Sequence, residues 1–574
     1  MATETLNFQA LGQGIVPILR APPFPGAANA VVSRLSQDAG SKEYADIDVR
    51  ACMDALRKAR VGGTFWGTHP QLEMPNPFIV RPATTEQAIE MLGRIEHDGH
   101  LHRLVLWLPP HLAAWAGQVA SRAVVLTECC DPWHLFAQAG QMWFDPSDEN
   151  LLLARIAGVR ASTFSGDGEP INQESLAEFF ITAVRHRIAD IDYIDPFTGA
   201  PSDFLSTIEL LKFWRGLIDS NRSIGAAAGF AHWKKAVVEP LLWGGSEPVR
   251  FMGGSESATK SIPRGKSIAI WKSRVSKRFL DEVEQQGCDL HEVEDGFIRS
   301  AGLGADCVPP LSIVVDKVGV HFDPAQPSDL ENLLQAGNFP PAILDRAEAL
   351  RRQIVESGVS KYSAGGQSMA RPAGERRHVL VTGQVEDDRS VICGGGEVAG
   401  NLDLLKRARA QEPDAYIIYK PHPDVEAGHR KGHVADEHIL SFADDIVRDA
   451  SISALLDMVD GIHVITSLAG FEALIRGKDV VTHGIPFYAG WGLTTDLGVI
   501  PARRTAHRNV IELVAAVLLL YPRYLDPITS LPCPPEVLVK RLAAGVRKEN
   551  WAIVSLRRLQ GSARQKLSKM GITI

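Results

Sequence analysis

The stretch Val293-Glu294-Asp295-Gly296-Phe297-Ile298-Arg299-Ser300-Ala301-Gly302-Leu303-Gly304 decides how the chain is read. Upstream of it lie an apolar run from Ser267 to Trp271, a helical stretch, and a second strand, Asp289 to Val293. The order is strand, helix, strand, and the second strand delivers two adjacent carboxylates into a glycine-rich turn. Open α/β sheets bind ligands outside the carboxyl ends of their strands, so Glu294 and Asp295 stand where chemistry is usually done. An isolated Glu-Asp-Gly is an ordinary solvated turn; three stretches further along change the reading.

Moving outward, the chain alternates strands and helices. Leu311–Val315 follows as a strand, with Val318–Phe322 as a short apolar run beyond. A third region opens on His378–Gly383 and continues through a helix near 398–411, the strand Tyr416–Tyr419, a helix near 451–458 and the strand Gly461–Ile465. Helix 468–476 and strand Asp479–Thr482 close the series. Such alternation implies parallel, doubly wound sheets. Residues 221–232, rich in Gly and Ala, read as a linker, and the polar 358–376 as a connector. The expected division is an N-terminal segment 1–60, an α/β domain 61–225, Rossmann-like domains 233–357 and 376–538, and a basic C-terminal region 539–574.

The 61–225 domain carries a degenerate copy of the third region. LVLWLPPH (104–111) resembles YIIYKPHP (416–423), and FDPSDENLLLARIAGVRA (144–161) resembles HVITSLAGFEALIRGKDV (463–480), with Gly158 over Gly477. Tyr193-Ile194-Asp195-Pro196-Phe197-Thr198 matches Tyr524-Leu525-Asp526-Pro527-Ile528-Thr529. The early copy has Leu108 where the later has Lys420, and Leu153 in place of Glu472. It reads as a nucleotide-binding domain that has lost its ligand groups and serves to pack against the working module or recruit a partner.

Bulk properties narrow the function classes. A net charge of −8 argues against a general nucleic-acid binder. No apolar run reaches the length of a membrane span, and Met1–Leu11 lacks the basic-then-apolar order of a secretory signal. Seven scattered cysteines without CxxC spacing fit a reducing compartment, with the cytoplasm as the simplest address. From Lys540 onward the basic residues (540, 541, 547, 548, 557, 558, 564, 566, 569) meet a single acid, Glu549, among interleaved apolar residues. That stretch reads either as a segment lying on an anionic membrane surface or as a solvated helix face.

The chemistry-bearing stretches of the third region all follow strands. Gly383-Gln384-Val385-Glu386-Asp387-Asp388 presents three acids, then Gly394-Gly395-Gly396. Lys420-Pro421-His422-Pro423 holds an imidazole between two prolines that stiffen the turn, placed to bind a phosphate or protonate a leaving group. Thr466 and Ser467 open a helix, where hydroxyls and free N–H groups make an anion site. Glu472, one turn in, is a candidate for a ribose diol, or a charge favoured by the helix dipole. The loop Phe487-Tyr488-Ala489-Gly490-Trp491-Gly492-Leu493-Thr494 is either a wall for a sugar or nucleotide or a packed turn.

Taken in order, EDGFIRSAGLG, GQVEDD, KPHP, TSLAGFEALIRGK and PFYAGWGL resemble the KpsC-type capsular polysaccharide β-Kdo transferases of Gram-negative bacteria. The resemblance spans about 233–535, a single catalytic module where known members often carry two. The acid-acid-Gly and His-Pro pairs also look like motifs of bacterial sialyltransferases, which likewise use a CMP-activated ulosonic acid. The resemblance implies a GT-B-like fold, two Rossmann-like domains flanking a cleft, and transfer of Kdo from CMP-β-Kdo, with retention, to a saccharide or glycolipid acceptor.

Retention suggests double displacement through a carboxylate. Asp387 is the first choice as nucleophile and Asp388 the second; Glu294 is the acid/base, with Asp295 behind it. His422, Lys420, Thr466, Ser467 and Gln384 would hold the CMP and Glu472 its ribose. Arg299 would meet the donor's carboxylate or form an ion pair within the fold. No metal and no resident cofactor are expected, since CMP is already a monophosphate leaving group. Capsule assembly proteins are candidate partners, and the inner membrane a candidate surface for the tail. Two alternatives stay open: a transferase using another CMP-ulosonic acid or nucleotide sugar, and a non-catalytic capsule assembly or export scaffold.

Overall fold

The computed structural model describes residues 17–28, 30–37, 48–164, 187–255, 259–260, 262–299, 308–360, 371–372, 374–428 and 430–545. The basic tail beyond Gly545, the Ser300–Gly304 part of the glycine-rich turn and residues 361–370 of the connector lie outside them. The chain divides into two units: one runs to Ser223 and takes back Leu242–Pro248, and the other holds Ile224–Leu241 and everything from Val249.

In the N-terminal unit, strand β1 (Ser33–Leu35) is followed by β2 (Phe78–Arg81), β3 (Leu104–Trp107), β4 (Val124–Leu126), β5 (Gln141–Phe144) and β6 (Ala161–Thr163). Strands β2 to β6 form a parallel sheet of order β4-β3-β2-β5-β6. Two more, β7 (Ile191–Ile194) and β8 (Pro201–Ser202), pair antiparallel with each other, and β7 also with β1.

The C-terminal unit begins with β9 (Ile224–Ala228), β10 (Phe251–Met252), β11 (Ser267–Ile270), β12 (Leu290–Asp295) and β13 (Ser312–Asp316). It continues with β14 (His378–Thr382), β15 (Tyr416–Lys420), β16 (Asp445–Ile446), β17 (Gly461–Val464), β18 (Asp479–Thr482) and β19 (Thr495–Asp496). The last two are β20 (Pro522–Leu525) and β21 (Pro532–Cys533). One sheet runs β10-β9-β11-β12-β13-β20-β21 and the other β16-β15-β14-β17-β18-β19.

The second sheet is parallel throughout. Its central strand, HVLVT, is buried along its whole length, as a strand covered on both faces must be. Val379, Leu380 and Val381 are fully excluded from water, each contributing about 1.5–3 kcal/mol of transfer free energy.

The expected α/β class with Rossmann-like sheets is what forms, with three differences. The first sheet is mixed, because β12–β13, β13–β20 and β20–β21 pair antiparallel. The chain also returns from the third region, so that 522–533 completes the first sheet instead of ending the second. Finally, part of the stretch read as a linker is strand β9, whose Ala226, Ala227 and Ala228 are fully buried between β10 and β11. Alanine is a weak strand former, and burial in a sheet interior overrides that preference.

The internal repeat is visible in the topology. Order β4-β3-β2-β5-β6 reproduces β16-β15-β14-β17-β18 strand for strand. Asp148 caps the helix Glu149–Ala157 as Ser467 caps Leu468–Leu474, and those two residues are aligned in the sequence match. Gly158 and Gly477 both take positive φ, 85° and 71°, just past their helices. In the early copy Leu108 and Leu153 are buried. Arg81 donates to Asp148 at 2.7 Å and lies 4.1 Å above the Trp107 ring, so its strand ends are filled by the chain's own side chains.

Candidate active site

Strand β12 ends in the two carboxylates, and its turn is held tightly. A Cβ on Gly296 would fall 2.2 Å from Ser312 Oγ on the neighbouring strand, so no larger residue fits. The Ser312 hydroxyl donates to the Ile298 carbonyl. Phe297 then packs at 4.8 Å from Phe487 and 4.9 Å from His321, which joins the turn to the loop beyond β18. Arg504, buried, donates to the buried Glu331 at 2.7 Å; this ties the helix Asp329–Ala336 to the same segment. The two sheets of the C-terminal unit thus meet around the ends of β12 and β14.

The two carboxylates have different surroundings. Asp295 accepts from Lys234 Nζ at 3.2 Å and from Arg299 Nε at 2.7 Å. Lys234 sits near the start of the helix His232–Leu242, with its ammonium 3.2 Å from the centre of the Trp271 ring, and burial pulls its pKa down to about 8 against the pull of Asp295. Among the described residues, Glu294 has no such cradle. Burial and then the neighbouring Asp295 push its carboxyl up to about 7, opposed by Arg389 and Lys234. A group poised near 7 suits general acid–base work. Asp295, placed second for that role, is an anchor here, clamped between two cations.

Arg299 follows the ion-pair reading rather than the donor-carboxylate one. It is 1 % exposed and also donates to the Val308 carbonyl at 2.9 Å, so its guanidinium is turned into the fold.

After β14 the three acids separate. Glu386 accepts from the Asn401 backbone N–H at 2.9 Å. Asp388 caps the helix Arg389–Gly394, accepting from Ser390 N and Oγ at 2.9 and 2.7 Å. Asp387 is exposed and pairs with Arg430 at 3.1 Å. Arg389, next in the chain, reaches across to Glu294 at 3.7 Å. That contact brings the β12 carboxylate and the Asp387–Asp388 loop to one place. His422 comes close to the start of the same loop, since a Cβ on Gly383 would lie 2.5 Å from the Tyr419 hydroxyl and 3.3 Å from His422 N.

Gln384 closes the bottom of this region. Its Oε1 accepts from the backbone N–H groups of Ile465, Thr466 and Ser467 at 3.1, 2.9 and 3.1 Å. Its Nε2 donates to Thr466 Oγ1 at 3.1 Å. The N–H groups expected to be free for an anion are therefore held by an amide, and Ser467 Oγ caps Ala469. The remaining group is scattered in role. Lys420 Nζ donates to the Arg448 carbonyl at 3.0 Å, and burial lowers its pKa. His422 Nδ1 accepts from Asp424 N at 3.2 Å, and Glu472 is buried. The aromatic loop is a packed turn: Tyr488 and Trp491 are fully buried, and the indole N–H donates to the Phe487 carbonyl at 2.9 Å.

Lys234 and Arg389 were not singled out in the sequence. Nothing in the Lys234 neighbourhood marks it as buried against a residue 61 positions away. Arg389, by contrast, directly follows the acids, and that position is the signal that marks it. Among the described residues, no group of three or more His, Cys, Asp or Glu is placed to hold a metal ion, and no helix is long and apolar enough to cross a membrane.

Residues 266–367 and 350–524 match the family model described as capsule polysaccharide biosynthesis protein. The chain is 38 % identical over 359 residues to the capsule polysaccharide modification protein LipA of Neisseria meningitidis, covering 62 % of this chain and 50 % of that protein. It is 45 % identical over 239 residues to the lipopolysaccharide-processing protein LpsZ of Rhizobium meliloti, 41 % of this chain and 54 % of that one. The chain thus spans about half the length of these curated relatives. Among solved structures, the β Kdo 2,4 transferase of Thermosulfurimonas dismutans KpsC is 31 % identical across 98 % of its own chain and 56 % of this one, with a TM-score of 0.49. The sequence matches cover the ends of β12 and β14 and the loops around them, and they place residues 266–524 in the capsule polysaccharide biosynthesis family.

Proposed function

We propose that the chain is a retaining glycosyltransferase that moves β-Kdo from CMP-β-Kdo to a saccharide or glycolipid acceptor in the synthesis of a capsule or related surface polysaccharide. The observation that carries this reading is the Glu294 carboxyl, pushed up to about 7 at the end of β12. It faces, through Arg389 at 3.7 Å, the loop that presents Asp387. Paired carboxylates from two sheets are the equipment of double displacement at an anomeric carbon. The solved relative described as a β Kdo 2,4 transferase supports the choice of sugar.

In the first step Asp387 attacks the anomeric carbon, the bond to the phosphate oxygen breaks, and CMP leaves. In the second, ionised Glu294 takes the proton of the acceptor hydroxyl as its oxygen displaces Asp387. Asp387 is preferred over Asp388 because the latter's Oδ1 is occupied as a helix cap. His422, whose backbone approaches the start of the Asp387 loop, would meet the departing phosphate, and Glu472 would meet the ribose. The work would be done in the cytoplasm, at the inner face of the membrane.

The test is CMP release from CMP-Kdo with an oligosaccharide acceptor. Asp387→Asn is expected to lower kcat by roughly a thousandfold or more. Asp388→Ala is expected to act mainly through the lost cap, about 1 kcal/mol of stability. If both variants turn over at the wild-type rate, the double-displacement assignment is wrong. Competition by CMP-activated ulosonic acids other than Kdo then sets the donor.

A further inference from the structure

We propose that Arg389 holds the carboxylate of the transferred sugar and thereby restricts the enzyme to donors of the α-keto-acid type. The inference rests on the reading of the site as a CMP-ulosonic acid transferase and adds to it the group that recognises the donor's charge.

Other cations in the neighbourhood are committed within the chain. Arg299 is buried against Asp295 and the Val308 carbonyl. Lys234 is held by Asp295 and the Trp271 ring, Lys272 by Glu292, and Arg430 by Asp387. Lys420 is turned to a backbone carbonyl. Arg389 differs. Its Nη1 is buried and meets no acceptor at hydrogen-bond distance among the described residues. The Glu294 oxygen at 3.7 Å gives Coulombic attraction but is too far for a hydrogen bond. The Phe322 ring lies 5.2 Å from the guanidinium carbon and supplies no acceptor. A guanidinium N–H taken out of water with no oxygen to meet costs free energy, and an arriving carboxylate, matched to the planar fork in bidentate fashion, removes that cost.

Position gives the second argument. In a ulosonic sugar the carboxylate is bonded to the anomeric carbon itself, the atom the nucleophile attacks. The residue that grips it must lie beside both the nucleophile and the acid/base. Arg389 is two residues after Asp387 and 3.7 Å from Glu294. A nucleotide-activated aldose carries only hydrogen at that place and would leave the guanidinium unmatched.

The experiment is a double-mutant cycle between protein and donor. Wild type, Arg389→Ala and Arg389→Lys are assayed with CMP-Kdo and with its C1 carboxamide, and CMP binding is measured by calorimetry. Wild type is expected to favour the carboxylate donor by roughly a hundredfold in kcat/KM, the range for a hydrogen bond between charged groups. Arg389→Ala should lose about that factor on CMP-Kdo only, leaving the two donors within a few-fold of each other and the Kd for CMP unchanged. The lysine variant, which keeps the charge without the fork, should fall between, and it carries the test if the alanine variant does not fold. Equal penalties on both donors would show that Arg389 only positions Glu294 and would overturn the proposal, as would undiminished discrimination. Both of those outcomes leave the transferase reading intact; a wild-type protein that releases no CMP from CMP-Kdo would remove the two together.

Discussion

Replacing Glu294 by glutamine should stabilise the fold while destroying activity, and the gain should depend on pH in a defined way. The carboxyl is raised from the ordinary 4.5 to about 7, chiefly by burial and then by Asp295. The folded state therefore binds more protons than the unfolded one between those values, and stability falls as pH rises through that window. Below about 4.5 both states are protonated and the residue adds no penalty. Above about 7 both are ionised and the penalty is constant. A displacement of about 2.5 in pKa, at about 1.4 kcal/mol for each, makes that plateau about 3.5 kcal/mol. Glutamine keeps the shape without the charge, so Glu294→Gln should gain up to about 3.5 kcal/mol at pH 8 and close to nothing at pH 4.5. Urea unfolding followed by tryptophan fluorescence at a series of pH values reads the difference, and CMP release reads the lost turnover. A stability difference that stays flat from pH 5 to 8, or that grows toward acid, would refute the assignment of a raised pKa to this residue.

Two further expectations come from the same geometry. Asp295→Ala removes the carboxylate that Lys234 and Arg299 both contact; breaking such a buried pair costs about 3–5 kcal/mol, seen as a lower urea midpoint, and a variant as stable as wild type would show that Asp295 is no anchor. Gln384→Leu deprives the N–H groups of Ile465, Thr466 and Ser467 of their shared acceptor. It should cost about 1–3 kcal/mol and weaken CMP binding in calorimetry, whereas unchanged affinity would remove Gln384 from the nucleotide site.

Much of the local structure was readable because it depends on nearest neighbours. VLV (379–381) and IAI (268–270) are uninterrupted apolar runs, and they form the centres of the buried β14 and β11. Asp148 and Ser467 precede helices, and Gly158 and Gly477 follow them, as caps should. The repeat was legible for the same reason: aligned caps and glycines keep their local work even when the residues between them have changed. Strand direction was less readable: alternation of strands and helices implies parallel pairing, whereas β13 returns beside β12 antiparallel.

For the site, local sequence was enough to show which side chains are carried to strand ends: Glu294 and Asp295 at the end of β12, Glu386 to Asp388 after β14, His422 after β15. These follow from periodicity and turn chemistry, which act over a few residues. The division of labour among them was decided only by tertiary contacts. Lys234, 61 positions from Asp295, and the buried Arg299 turn one of two adjacent acids into an anchor and leave the other to be desolvated. Gln384 claims three backbone donors more than eighty positions away. A pKa or an ion pair depends on what lies within a few ångströms, and that distance is set by the packing of two sheets, not by position along the chain.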